Sequence, residues 1–214
     1  VFVPIVLPLT RIDAVEPALP HDADAYDAVV ATSANALRHA PPALLAALVV
    51  KPLYAVGDAT ADAAREAGFS DVRSASGTAI DLAAMIGAAS AAGARLLHLA
   101  GTVRTAGFDE ALRASGFTVD IVETYRADEV SYPTDFLVST LGTAPIWGAT
   151  VFSERAGALL ARLAGRPPFG ELLETTRFFC ISRKAAAPLR AAGGGRVLVS
   201  GEPTEDGVLA LLSS

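Results

Sequence analysis

Residues 27–40, DAVVATSANALRHA, and residues 148–163, GATVFSERAGALLARL, decide the reading of this chain. Each is a short apolar run, then a hydroxyl residue, then a stretch whose apolar residues recur at helical spacing. The first is followed by PLYAVGDATADAAREAGFSDV (52–72) and GTAIDLAAMI (77–86). The second is followed by RFFCISRKAAAPLRAAGGGRVLV (177–199) and PTEDGVLALL (203–212). Ser33 corresponds to Ser153, Gly57 to Ser182, Gly68 to Gly193 and Asp81 to Asp206, and the last three pairs share an offset of 125 residues. This duplication predicts two similar lobes facing each other across a cleft.

Working outward, strands are predicted at 27–31, 52–56, 70–73, 95–99, 118–125, 149–152, 177–181 and 196–199. Helices are predicted at 34–47, 59–67, 78–91, 105–115, 154–164, 183–192 and 204–213. Short apolar strands alternating with amphipathic helices imply parallel sheets covered on both faces. The expected fold is therefore α/β, two doubly wound parallel-sheet lobes joined by a two-stranded linker. The second half holds too few strands for a full lobe of its own. The chain also opens at Val1 inside an apolar run, VFVPIVLPL, without an initiator methionine. An upstream strand and helix completing the second lobe are expected to be missing. The resulting division is a linker strand at 1–11, an inserted lobe at 12–121, a return linker at 122–130 and the second lobe at 131–214.

Local chemistry supports the boundaries. Thr78 and Asp81 resemble a capping box, with Asp in place of the usual Glu. Gly68 and Gly116 read as helix C-caps. The GGG at 193–195 follows a helix and precedes a strand, the wrong context for a dinucleotide fingerprint.

Composition narrows the function classes. Of the 214 residues, 52% are hydrophobic, and mean hydropathy is +0.43. The longest uncharged run, 136–153, contains Gly142, Pro145 and Gly148 and reads as linker plus buried strand rather than a membrane span. The formal charge of −6, with no cluster of lysine and arginine, argues against nucleic acid as a partner. The single cysteine, Cys180, reads as a packed thiol in a strand, in keeping with a reducing cytoplasm. His21, His39 and His98 show no ligand spacing, so no metal is expected. No phosphate-binding glycine loop of the GxxxxGK[ST] type and no GxSxG elbow occurs. His98 reads as a core or strand-end residue, and Trp147 as core or lobe surface.

What recurs is a strand–hydroxyl–helix junction, at Thr32 and Ser33, at Gly57 and Thr60, at Gly101 and Thr102, at Ser153 and at Ser182. In parallel sheets such junctions lie at the carboxyl ends of the strands, where ligands bind. Taken singly, each Ser or Thr is simply an N-cap, worth about 1 kcal/mol. Five of them in two lobes point to an anion-binding cleft, since free N–H groups at helix starts carry partial positive charge. Arg104, Arg155 and Arg183 are placed on first helical turns, where the macrodipole disfavours a cation. Tyr125 lies in the return segment between Glu123 and Asp128, and a neutral phenol can donate a proton. On spacing alone an edge-strand tyrosine is also a common structural residue.

Taken together, ATSANAL, PLYAVGDATADAAREAGF, LAGTVR with ALRASGFTV and VETYRAD, TVFSERAG and FFCISRKAAAPLRAAG resemble the uroporphyrinogen-III synthase family, from about Leu7 to Leu212. Their order and spacing carry the resemblance. It implies two α/β lobes on a two-stranded linker, and conversion of hydroxymethylbilane to uroporphyrinogen III in tetrapyrrole (heme) biosynthesis. In that reaction the hydroxyl leaves, an azafulvene forms, ring D inverts through a spiro intermediate and the macrocycle closes. It implies a cyclising hydro-lyase, monomeric and cytoplasmic, with no cofactor. By the same resemblance Tyr125 is the catalytic proton donor, and Ser33, Thr60, Arg104, Ser153 and Ser182 bind substrate, while Thr32 and Gly101 are substrate-binding candidates from the junctions themselves. Ser182-Arg183-Lys184-Ala185 departs from the family's glycine followed by hydroxyls. The substrate's eight carboxylates contrast with a net negative chain, so helix-start N–H groups are expected to hold some of them. The alternatives are a non-catalytic two-lobe binding or regulatory module for an anionic small molecule, and a transferase for phosphorylated sugars.

Overall fold

The computed structural model describes residues 3–75, 79–89, 93–104, 106–193 and 196–213. The chain divides into two compact units, Ile12–Asp128 and Val1–Arg11 with Glu129–Ser214.

The unit Ile12–Asp128 is built on parallel strands. They are β2 (Ala28–Ala31), β3 (Leu53–Val56), β4 (Val72–Ala75), β5 (Arg95–Gly101) and β6 (Thr118–Glu129), with β1 (Thr10–Ala14) at the edge. The sheet order is β1-β6-β5-β2-β3-β4. β2 to β6 pair in parallel. Val15 N donates to Thr124 O (2.9 Å) and Val130 N to Leu9 O (3.1 Å), so the numbering runs oppositely along β1 and β6. The chain steps outward from β2 to β4 and then returns to the other side of β2 for β5. The β2/β5 boundary is therefore a topological switch point, the place where an open α/β sheet offers a ligand crevice.

Alternation along the strands covers both faces of this sheet. Val29, Ala31, Leu53, Ala55, Leu97 and Leu99 form one core with helices α1 (Ala34–Arg38), α2 (Pro42–Leu48) and α3 (Asp58–Glu66). Ala28, Val30, Tyr54 and Leu96 form a second core with α4 (Ala79–Ala89) and α5 (Phe108–Ala114). All of these strand residues are 2% exposed or less, as strands buried on both faces require.

The other unit carries a three-stranded parallel sheet in the order β7 (Gly148–Val151), β8 (Arg177–Cys180) and β9 (Val197–Val199). Its core joins Val151, Phe178 and Cys180 to α6 (Thr134–Leu141), α7 (Glu154–Ala164), α8 (Phe169–Leu173) and α9 (Arg183–Ala191), and α10 (Glu205–Leu211) closes the chain. α7 and α9 pack through Gly157, where an added Cβ would collide with the carbonyl oxygen of Ala185.

Several expectations need correction. The helix predicted at 34–47 is two helices, because Pro41 and Pro42 remove backbone donors and restrict the residues before them. The uncharged run 136–153 is not all linker and strand, since α6 occupies its beginning. The pattern of apolar residues does not predict the short helix α8. The strand expected to stop at 125 continues as β6 to Glu129, so strand and return segment are one element. Arg104 is not on a first helical turn, because α5 starts only at Phe108. Thr78 of the expected capping pair, Thr105 and two glycines of the GGG turn lie outside the described residues.

Candidate active site

Tyr125 owes its position to an irregularity in β6. Ala100 is opposite Glu123 and Gly101 is opposite Tyr125, so Thr124 is an extra residue in the ladder. A bulge of this kind re-aims the side chains around it. Thr124 is fully buried, and its hydroxyl donates to the carbonyl of Ala36 in α1 at 2.7 Å. The next residue, Tyr125, then lays its ring on the α-carbon of Gly101. A Cβ at position 101 would stand 2.6 Å from the ring's Cζ and 2.9 Å from its hydroxyl. The Tyr125 carbonyl accepts from Thr102 N at 3.0 Å. The ring also stands 6.2 Å from that of His39, whose Nδ1 is 3.1 Å from the carbonyl of Asn35. Tyr125 is half-buried at the carboxyl end of the sheet.

Thr32 and Gly101 follow β2 and end β5, on the two sides of the switch point. Thr32 Oγ1 is 3.3 Å from His98 Nε2, and His98 Nδ1 is 2.6 Å from Asp109 Oδ1. His98 and Asp109 are both buried, at 1% and 6% exposure, with Phe108 edge-on to the imidazole at 5.2 Å. Burial pushes the Asp109 carboxyl up. The hydrogen bond from His98 and the charges of His98, Arg104 and Arg113 outweigh it and hold the group below its ordinary range. Arg104 reaches the same carboxylate, Nε to Oδ2 at 3.8 Å, and also donates to Glu123 at 2.7 Å and to the Gly101 carbonyl at 3.3 Å. Arg104, Asp109 and Arg113 line an open pocket of about 420 Å³ with Thr102.

The serines of the junctions cap their own helices. Ser33 Oγ accepts from Asn35 N at 3.3 Å, Ser153 Oγ from Ala156 N at 3.0 Å and Ser182 Oγ from Ala185 N at 3.2 Å. Helix α1, after Ser33, is only five residues long and develops little dipole to hold an anion. α7 and α9, after Ser153 and Ser182, are eleven and nine residues long. Thr60 lies within the first turn of α3 and is 5% exposed, while the start of that helix is made by Gly57 at φ 75°. Arg155 and Arg183 are exposed on the first turns of α7 and α9. A smaller pocket in the unit holding α7, about 260 Å³, is lined by Leu9, Glu129, Tyr132, Arg162 and Arg166 among others, and none of the expected site residues borders it.

Thr32, Gly101, Arg104 and Tyr125 thus gather at one edge of one sheet. His98 and Asp109 join them, although the sequence marks His98 only as a core or strand-end residue. The one signal available was two ionisable residues at positions that otherwise face apolar cores. Trp147 stacks on Phe179 at 5.5 Å, under the guanidinium of Arg177 at 5.2 Å. Cys180 is a free, fully buried thiol. Among the described residues no group of three or more histidine, cysteine or carboxylate residues is placed to hold a metal ion. No helix among them is long and apolar enough to cross a membrane.

Residues 2–210 match the family described as uroporphyrinogen-III synthase HemD. No curated protein sequence matches significantly. The fold is similar to that of uroporphyrinogen-III synthetase from Helicobacter pylori, with a TM-score of 0.71 at 17% identity over 97% of this chain and 91% of that one. It is also similar to a mutant uroporphyrinogen-III synthase from the extremely thermophilic bacterium Thermus thermophilus, with a TM-score of 0.57 at 18% identity over 96% and 85% of the two chains.

Proposed function

The chain belongs to the uroporphyrinogen-III synthase family, a family of cyclising lyases in tetrapyrrole biosynthesis, and from that premise we propose how its residues act on hydroxymethylbilane. The observation that carries the proposal is the seating of Tyr125 on Gly101 beside the switch point. A phenol held against a glycine has its ring orientation fixed while its hydroxyl stays at the sheet edge. It donates its proton to the departing hydroxyl of the substrate, the carbon–oxygen bond breaks and water leaves. The azafulvene so formed closes through the spiro route with ring D inverted, and the proton released as the last pyrrole regains its aromaticity restores the phenol. The protein's contribution is general acid assistance and positioning, with no covalent intermediate.

The substrate is a polycarboxylate. Arg104 is the candidate cation for one of its carboxylates, in exchange for its exposed contact with Glu123. The starts of α3, α7 and α9 offer backbone N–H groups and dipole for others. Ser153 and Ser182 serve there as caps that shape the turn, in addition to any contact with substrate. Ser33 and Thr32 border the switch point, and Thr60 supports the turn at Gly57 from within the helix. We read the architecture as two α/β lobes, 12–121 and 131–214, with 1–11 and 122–130 as the linker strands. The division into compact units and the antiparallel bonds between β1 and β6 support that reading.

The experiment is to supply hydroxymethylbilane to the protein and resolve the product isomers. Uroporphyrinogen III is expected. Only the spontaneous type I isomer, from well-folded protein, overturns the assignment. With Tyr125→Phe, turnover falls by about a hundredfold to about ten-thousandfold with near-normal stability, the usual range for a general acid removed. Unchanged kinetics would remove Tyr125 from the mechanism.

A further inference from the structure

The interior of the unit Ile12–Asp128 holds a chain of polar groups that core packing does not require. It runs from Arg104 to Asp109, from Asp109 to His98 and from His98 to Thr32. It crosses from the pocket below α5 to the switch point between β2 and β5. Burying a carboxylate and an imidazole is costly, and an apolar pair of similar size would pack the same space. The pair is nonetheless placed so that each ring nitrogen of His98 meets a different partner. One partner is a carboxylate held ionised by its surroundings. The other is a hydroxyl at the ligand edge of the sheet.

We propose that Asp109 and His98 are positioning residues that fix the hydroxyl of Thr32 as a hydrogen-bond acceptor for a pyrrole N–H of the substrate. This rests on the reading that Thr32 touches substrate. An ionised Asp109 accepts the Nδ1 proton of His98, which selects the tautomer with its lone pair on Nε2. The Thr32 hydroxyl donates to that lone pair, and the oxygen's own lone pairs turn outward. Such an oxygen welcomes an N–H donor and repels a carboxylate. Without His98, the Thr32 hydroxyl rotates freely and suits either. The network therefore sorts pyrrole rings from acidic side arms at the switch point. Arg104, on the other oxygen of the same Asp109, supplies the contrary preference for a carboxylate. One buried carboxylate sets the polarity of both contacts.

The test is a double-mutant cycle of Thr32→Val and His98→Asn, with KM and kcat for hydroxymethylbilane, the isomer ratio and the melting temperature measured for each. The Asn amide takes the place of Nδ1–H and keeps Asp109 satisfied, but leaves Thr32 without its partner. Each single variant is expected to raise KM about tenfold, the effect of one lost or misdirected hydrogen bond, and the double variant no more than either alone. A kinetically silent Thr32→Val overturns the substrate contact itself, and the proposal with it. An effect of Thr32→Val joined by a silent His98→Asn, or by effects that multiply, overturns the positioning role alone. Nitrogen-15 spectra of the wild-type histidines give a readout independent of any variant's folding. A His98 that carries a proton on Nε2, whether as the other neutral tautomer or as a doubly protonated imidazolium beside Asp109, would also refute it.

Discussion

The ring of Tyr125 rests on the α-carbon of Gly101, so closely that a β-carbon there would stand 2.6 Å from Cζ. The contact joins the last residue of β5 to the bulge of β6. The strand is held on both sides of the contact, through the Thr124 hydroxyl on the Ala36 carbonyl and the Tyr125 carbonyl on Thr102 N, so the ring is the part that must yield. Gly101→Ala is expected to push the phenol away from its present place and cut turnover at least about tenfold. The stability cost is about 1–3 kcal/mol, typical of an overpacked contact. Parallel kinetics and denaturant unfolding check this, and an alanine variant with normal turnover would show that the ring's seat is not needed.

Gly157 offers a contrast, because there the obstacle is backbone. Its Cα faces the carbonyl of Ala185 where α7 meets α9. A methyl group must separate the two helices, since a carbonyl in a helix does not swing aside. Gly157→Ala is expected to destabilise the unit that holds α7 by about 1–3 kcal/mol. The melting temperature should fall, while the proton-donating step, measured on protein still folded, should change little.

Asp109 makes stability depend on acid. Its folded-state value lies below the ordinary 3.8. The contribution is therefore present above about pH 4 and is lost as pH falls through the lower folded value. Denaturant midpoints measured from about pH 6 down to about pH 2 should fall for the wild type, and less steeply for Asp109→Asn. Equal slopes would mean that the carboxylate gains nothing from its buried partners.

Cys180 is pushed up to about 11 by burial, against a small opposing effect of Arg190. The thiolate is then scarce at neutral pH, and the sulfur has no access to solvent. Native protein is expected to resist thiol-specific reagents over hours and to react within minutes once denatured. Ready modification of folded protein would show that β8 opens more often than its packing suggests.

Much of the fold was legible because it repeats a short-range rule. Apolar runs of four or five residues followed by hydroxyls and helical periodicity mark β2, β3, β7 and β8, all close to their expected bounds. The proline pair at 41–42 was equally visible in the sequence, yet the strength of the flanking periodicity concealed the break between α1 and α2. α6 leaves little mark in the sequence, because all but its first two residues lie in the uncharged run that begins at Phe136.

The candidate site was legible only in part. Thr32, Gly101, Arg104 and Tyr125 could be singled out by junction type and by resemblance. Their gathering at one edge depends on the strand order, which places β5 beside β2 and sends β3 and β4 the other way. Order in a sheet is a matter of long-range pairing, to which local periodicity is blind.

The sequence by itself determined the α/β class, the strand–hydroxyl–helix junctions and the family, since these rest on local pattern and on motif order. Only the tertiary structure decided where the ring of Tyr125 rests and which groups meet His98. One extra residue in a ladder turns a side chain, and an imidazole takes its role from the two groups that meet its nitrogens. Thr32 and Asp109 come from 66 residues before His98 and 11 residues after it. Folding alone brings them to the same ring.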